Sequence, residues 1–184
     1  MSSQFFYHHA GQYYFNRTGR NASTVVSVVN TLVAVPFILP RACRIDAIAF
    51  EVTTGGAAGS VARVGIYANK ANNNLEPGTL ILDGGQHDTT GVGMKITTFG
   101  SLPMAVGLYW LAMLAGVSAP SVRATPDIPQ ILGMGSSGLS AISNGWEIGQ
   151  AYGALPTPFP LPVPPSLARA ELPDAPIIAL RVIA

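Results

Sequence analysis

Charge is what this chain has least of. Lys, Arg, Asp and Glu make up 10% of its 184 residues, against roughly a quarter in ordinary soluble domains. The net charge is +1 at neutral pH, and the basic residues are scattered, so the clustered Lys and Arg that phosphate contacts need are missing and no nucleic-acid partner is expected. Cysteine is also scarce. Cys43 stands alone, which excludes an intrachain disulfide and leaves packing, strand pairing and subunit contacts to supply stability. Histidine is limited to His8, His9 and His87. The N-terminal MSSQFFYHHAGQYYF has neither a basic n-region nor an apolar h-region, so synthesis and folding in a cytoplasm is expected. Two long uncharged stretches, Ala22–Pro40 and Ile96–Val122, are broken by Pro36 and Pro40 and by Gly100, Pro103 and Gly107. What remains are apolar runs of about a dozen residues, suited to buried strands and too short for a membrane span.

Glycine and proline are plentiful, at 20 and 15 residues, and they punctuate β-prone runs. Residues 61–114 carry four such runs, divided by Asn72-Asn73-Asn74, Pro77-Gly78, Gly84-Gly85 and Gly91. This reads as a β-meander. Over the whole chain, strands are expected at about 24–29, 31–39, 44–53, 61–68, 78–83, 94–99, 107–114 and 177–183. Eight short strands with tight turns point to an all-β fold, an antiparallel β-sandwich of jelly-roll-like type, and the length suits one domain. Ile48, Phe50 and Val52, like Ile178, Leu180 and Val182, alternate with smaller or polar residues and should face a core. In Gly107–Leu114 both parities are apolar, as expected of a central strand or one covered by another subunit.

The remaining segments read as attachments to that sandwich. Residues 1–22 form an aromatic arm with Phe5, Phe6, Tyr7, Tyr13, Tyr14 and Phe15; residues 23–125 form the sandwich core; residues 126–154 form a Gly-rich excursion or interface loop. Residues 155–176 open with LPTPFPLPVPP, which should run as extended polyproline II, and residues 177–184 close the chain as a strand. The arm docks either on its own sheet or on a neighbour, and the proline tract either crosses its own subunit or reaches an adjacent one. The rings of the arm, with Trp146 and Phe159, are the expected assembly contacts.

Catalytic patterns find little support. His87-Asp88 lies among glycines and reads as a solvated turn, with no Gly-x-Ser-x-Gly elbow to serve. Adjacent His8 and His9 point apart on a strand, and no second pair at ligand spacing accompanies them. Gly133–Gly138 matches Gly-x-Gly-x-x-Gly formally, yet lacks the following helix and the acid about twenty residues on. Asp83 and Asp88 read as turn-capping residues, with a calcium ion the weaker alternative. No catalytic residue, cofactor or metal is therefore expected. Tyr67, Tyr109, Trp110 and Trp146 are the candidates for stacking against a glycan, and core packing is the competing fate of each.

Arg63-Val64-Gly65-Ile66-Tyr67-Ala68, then Pro77-Gly78-Thr79-Leu80-Ile81-Leu82-Asp83, then Gly107-Leu108-Tyr109-Trp110-Leu111-Ala112, resemble a β-sandwich module of tailed-bacteriophage virion proteins. The similarity extends back through Ala34-Val35-Pro36-Phe37 and Arg44–Val52, and so covers roughly residues 24–125. In that family the module occurs in capsid decorations, head fibres and tail appendages, often as trimers. The resemblance implies a non-enzymatic virion subunit whose partners are copies of itself, as a homotrimer, and other capsid or tail proteins. It carries over no catalytic residue. A receptor- or glycan-binding module of a tail fibre, with a host glycan as partner, is the alternative.

Overall fold

A computed structural model of the chain describes residues 9–15, 21–71, 75–129, 131–132, 143–170 and 172–183. Among the described residues thirteen strands follow in order: β1 Tyr13–Phe15, β2 Ser23–Val26, β3 Thr31–Leu39, β4 Cys43–Thr54, β5 Val61–Asn69, β6 Pro77–Asp88, β7 Gly93–Met104, β8 Gly107–Gly116, β9 Ser121–Thr125, β10 Gly145–Gly149, β11 Arg169–Ala170, β12 Ala175–Pro176 and β13 Ala179–Val182. They form two antiparallel sheets packed face to face. One sheet runs β1-β13-β4-β9-β12, with β2 paired to β9 and β7 paired to β4; we call it the front sheet. The other, the back sheet, runs β11-β10-β3-β8-β5-β6. The fold is a β-sandwich, as the alternation of apolar residues and the spacing of turns predict.

The principal core lies between the sheets, where period-two alternation places Val35 and Phe37 of β3, Ile48 and Phe50 of β4, Val64 and Ile66 of β5, Leu111 and Met113 of β8, and Leu180 of β13. Cys43 is buried there, and burial raises its thiol pKa. A second core covers the outer face of the back sheet. It joins Leu32, Ala34, Tyr67, Trp110 and Leu114 to Trp146 of β10 and to Leu155 and Phe159 of the proline tract. The doubly apolar strand β8 is thus a central strand with both faces covered by its own chain.

Three expectations change. Residues 61–114 do contain four strands, but they are no meander. Strand β7 leaves β6 for the front sheet and pairs with β4, while β8 returns to the back sheet between β3 and β5. A connection of a few residues can join strands within a sheet or bridge the roughly 10 Å between two sheets, and local alternation does not distinguish the two. The segment expected as an excursion supplies β10, which pairs with β3 from Trp146↔Ala34 to Gly149↔Thr31. His87 does not sit in a solvated turn. It lies on β6, half-buried, with its ring edge-on to Phe50 at 5.4 Å, and burial followed by the charge of Lys95 lowers its pKa.

The described residues of the arm, like the tract, dock on their own subunit. Strand β1 pairs with β13, Tyr13↔Arg181 to Phe15↔Ala179, and Gly11 N donates to Val182 O at 2.7 Å. In the tract, Phe159 N donates to Gly78 O at 2.9 Å, Leu80 N to Thr157 Oγ1 at 3.3 Å, and the Tyr67 hydroxyl to Pro156 O at 2.8 Å. These bonds lay the tract across the back sheet and along the outer edge of β6.

Candidate assembly surface

The back sheet is covered, whereas no described residue covers the outer face of the front sheet, and strand register sets what that face displays. One row across four strands reads Phe15, Ala179, Ala49, Ile96, and the next reads Tyr13, Arg181, Ala47, Thr98. Glu51 stands opposite Met94 in a third. Small residues in the middle strands and large ones at the margins make a trough. It has a volume of about 280 Å³, with Ala49 and Ala179 in its floor, Tyr13 and Phe15 on one wall and Met94 on the other. Phe15 is 39% exposed, Met94 53% and Ile96 45%.

Ion pairs close the ends of this face. Arg123 of β9 grips Glu51 with two hydrogen bonds, Nε to Oε2 at 2.9 Å and Nη2 to Oε1 at 3.1 Å. Arg181 of β13 grips Asp46 in the same forked way, at 2.7 and 2.9 Å, and its guanidinium carbon lies 5.9 Å from the centre of the Tyr13 ring. Each fork matches a planar guanidinium to a carboxylate. Hydrogen bonding from Arg181 holds the Asp46 carboxyl below its ordinary range, and Arg123 does the same for Glu51. Glu51 and Arg123, the charged side chains that line the trough, are therefore paired with each other, and the rest of its lining is apolar.

The nominated residues divide accordingly. Tyr13 and Phe15 lie on the open face. Tyr14, of opposite parity, packs against the principal core. Phe5, Phe6 and Tyr7 lie outside the described residues, as does Gly133–Gly138. Trp146 and Phe159 are not available to another subunit: both are buried in the second core, Trp146 edge-on to Trp110 at 6.3 Å and Phe159 edge-on to Tyr67 at 5.3 Å.

The same burial removes Tyr67, Trp110 and Trp146 as glycan platforms. No face of a fully buried ring is open to a sugar, and each polar tip already has a protein partner. Tyr67 donates to Pro156 O, Trp110 Nε1 to Asn69 Oδ1 at 3.0 Å and Trp146 Nε1 to Leu75 O at 3.2 Å. Tyr109 is partly buried against the principal core, with its hydroxyl donating to Ala105 O at 2.9 Å. Sequence reasoning missed Met94 and Ile96. Their alternation with Lys95 and Thr97 was visible, but parity alone does not tell which side faces solvent.

The polar residues singled out in the sequence are held in structural contacts. Asp83 pairs with Arg63 at 2.9 Å and accepts from Gly85 N and Leu155 N, at 2.9 and 3.1 Å. Asp88 accepts from Thr90 N and Thr90 Oγ1, at 2.8 and 2.7 Å, which caps the turn after β6. A hydroxyl beside an imidazole occurs at Thr97, whose Oγ1 lies 2.9 Å from His87 Nε2. That hydroxyl donates to Gly84 O, so His87 is the donor in the pair and is not set to take the proton a nucleophile must lose. Among the described residues no group of three or more His, Cys, Asp or Glu side chains gathers as a metal site. No described helix is long and apolar enough to cross a membrane.

No protein-family model and no curated protein matches the chain. Among solved structures, the chain is similar to that of the cysteine protease and lectin-like domains of Cwp84, a surface-layer-associated protein of Clostridium difficile, with a TM-score of 0.50 and 12% sequence identity. The match covers 88% of this chain and 34% of that one, so this chain spans about a third of the Cwp84 chain's length. At that identity the likeness shows the fold alone, a β-sandwich.

Proposed function

We propose that this chain is a non-enzymatic structural subunit of a tailed-bacteriophage virion, which joins copies of itself and its capsid or tail partners through the open face of its front sheet. One observation carries the assembly reading. The chain covers the outer face of its back sheet with its own C-terminal third, yet no described residue covers the apolar face bearing Phe15, Met94 and Ile96. These side chains are roughly half exposed, so covering what remains at a contact contributes about half of the ~1.5–3 kcal/mol that full burial of each would give, and symmetric assemblies repeat that gain at every copy. The virion setting and the trimeric stoichiometry rest on the sequence resemblance over residues 24–125.

The test is sedimentation of the full chain over a micromolar range, with Phe15→Ser beside it, followed by particle disruption and separation of heads from tails. Self-association weakened by Phe15→Ser, with the protein recovered in one virion fraction, is the expected result. A monodisperse monomer absent from particles overturns the proposal.

A carbohydrate-binding role is the second reading. It is favoured by the aromatic wall of Tyr13 and Phe15 beside two carboxylate–guanidinium pairs, a combination that suits a sugar ring, on a fold shared with a lectin-like domain. Glycan-array binding lost in Phe15→Ala with the fold intact would favour it over assembly.

A further inference from the structure

Sheet edges carry unpaired amides and carbonyls, and stable proteins shorten, bulge or cover them. Nearly every edge here is treated in one of these ways. Strands β1, β2, β11 and β12 are four residues or shorter. Strand β6 is twelve residues long, but its pairing with β5 breaks register at three places and the proline tract hydrogen-bonds to its outer side through Phe159 N and Thr157 Oγ1. Strand β7 is the exception. It also has twelve residues, among the described residues it pairs only with β4, and from Gly93 to Thr98 that pairing is regular, Val52↔Gly93 to Ala47↔Thr98. The register shift falls beyond, between Ile45 and Ala47. Along and just before the regular stretch, Val92 is 69% exposed and Met94 and Ile96 about half.

We infer that β7 is a dimerisation edge, along which two copies of this chain join their front sheets by antiparallel β7–β7 pairing about a twofold axis at Ile96. The inference rests on the assembly reading and names its contact. A strand edge of this kind is completed by another strand, because only a strand supplies donors and acceptors at the matching repeat. A second copy of β7 fits for reasons of charge. Lys95 is the only charged residue from Gly93 to Met104, and it faces His87, on whose pKa it acts. With Ile96 opposite Ile96, Lys95 stands opposite Thr97 and Met94 opposite Thr98, so no like charges meet. A slide of two residues, which would set Lys95 opposite itself, would be penalised. The pairing also brings the two open faces side by side, so that Met94 and Ile96 of both copies form one continuous apolar strip. The contact joins copies two at a time, either as free dimers or across neighbouring trimers.

Single-cysteine cross-linking tests the register, because Cys43 is buried. Cα atoms directly opposite in an antiparallel pair are about 4.5–5.5 Å apart, within disulfide reach. Ile96→Cys should therefore oxidise rapidly to a covalent dimer. Met94→Cys, on the same face, would lie roughly 13 Å from its copy, from four residues of offset at about 3.3 Å each, and should remain monomeric under the same mild oxidation. Ile96→Lys sets like charges opposite each other and should raise the midpoint concentration of association at least about tenfold with an unchanged circular dichroism spectrum. If wild-type protein associates but Ile96→Cys cross-links no faster than Met94→Cys, or if Ile96→Lys associates normally, the β7 inference falls and the assembly reading stands. If wild-type protein stays monomeric throughout, both fall.

Discussion

Removing the Phe159 ring should unfasten the proline tract from the sheet it covers. Phe159 is 4% exposed, packs edge-on against Tyr67 at 5.3 Å and is the largest apolar anchor of a tract otherwise held by Leu155 and a handful of hydrogen bonds. An aromatic side chain buries at least ~150 Å², which at ~25 cal/mol/Å² gives about 4 kcal/mol. That agrees with the ~3–5 kcal/mol typical of Phe→Ala in a core. About 0.5–1.5 kcal/mol of it belongs to the ring pair, so a double-mutant cycle with Tyr67→Leu should return a coupling of that size. Against a total stability of ~5–15 kcal/mol, such a loss is readily measured by urea unfolding. Limited proteolysis should at the same time show new cleavage between residues 150 and 170. A destabilisation below about 1 kcal/mol with an unchanged cleavage pattern would refute the reasoning, since a tract that merely rests on the back sheet, or belongs on a neighbour, would behave in that way.

Gly65 lies where an added Cβ would come 2.3 Å from Leu155 Cδ1 and 2.6 Å from the Leu82 carbonyl oxygen. Because the second of these is backbone, Gly65→Ala should cost about 1–3 kcal/mol in thermal or urea unfolding. Val117 is 72% exposed with φ at 65°, and Ser118 N donates to Gly116 O across it at 2.8 Å, so a β-branched residue sits in a strained γ-turn. Relief of ~1–3 kcal/mol of strain, less ~0.5–1 kcal/mol of added glycine entropy, makes Val117→Gly neutral to stabilising, and a clear fall in midpoint would refute the strain. Asp46 and Glu51 have folded pKa values below their unfolded values of 3.8 and 4.5. Their contribution is complete above the unfolded values and is lost as pH falls through the folded ones. Asp46→Asn with Glu51→Gln should therefore flatten the acid limb of a stability-against-pH curve below roughly pH 5; an unchanged limb would mean that the pairs are screened away in solution.

Much of the architecture was legible in the residues themselves. Ile48, Phe50 and Val52 announce a strand and its inward face because a strand's side chains alternate strictly, and no other part of the chain is needed to say so. Turn chemistry was legible in part: Asp88 caps the bend after β6 as its residue type predicts, whereas Pro77-Gly78 and Gly84-Gly85, expected as turns, lie within β6 because pairing with β5 carries the strand through them. Strands of four or five residues in mixed surroundings, such as β9 and β10, carry too few alternations to be recognised. The candidate surface was half legible. Tyr13 and Phe15 were nominated for their rings, whereas Met94 and Ile96 could be assigned a strand but not a side.

The sequence by itself determined that strands would form, where most of them lie, and that two sheets would share an apolar core. Only the tertiary structure decided which strands share a sheet, that Tyr67, Trp110 and Trp146 are covered, and that no described residue covers the front sheet's outer face. The reason is range. Alternation is written in neighbouring residues, but what covers a ring depends on segments far along the chain: the Tyr67 hydroxyl finds its acceptor at Pro156, 89 residues away. No local pattern at either position records that meeting.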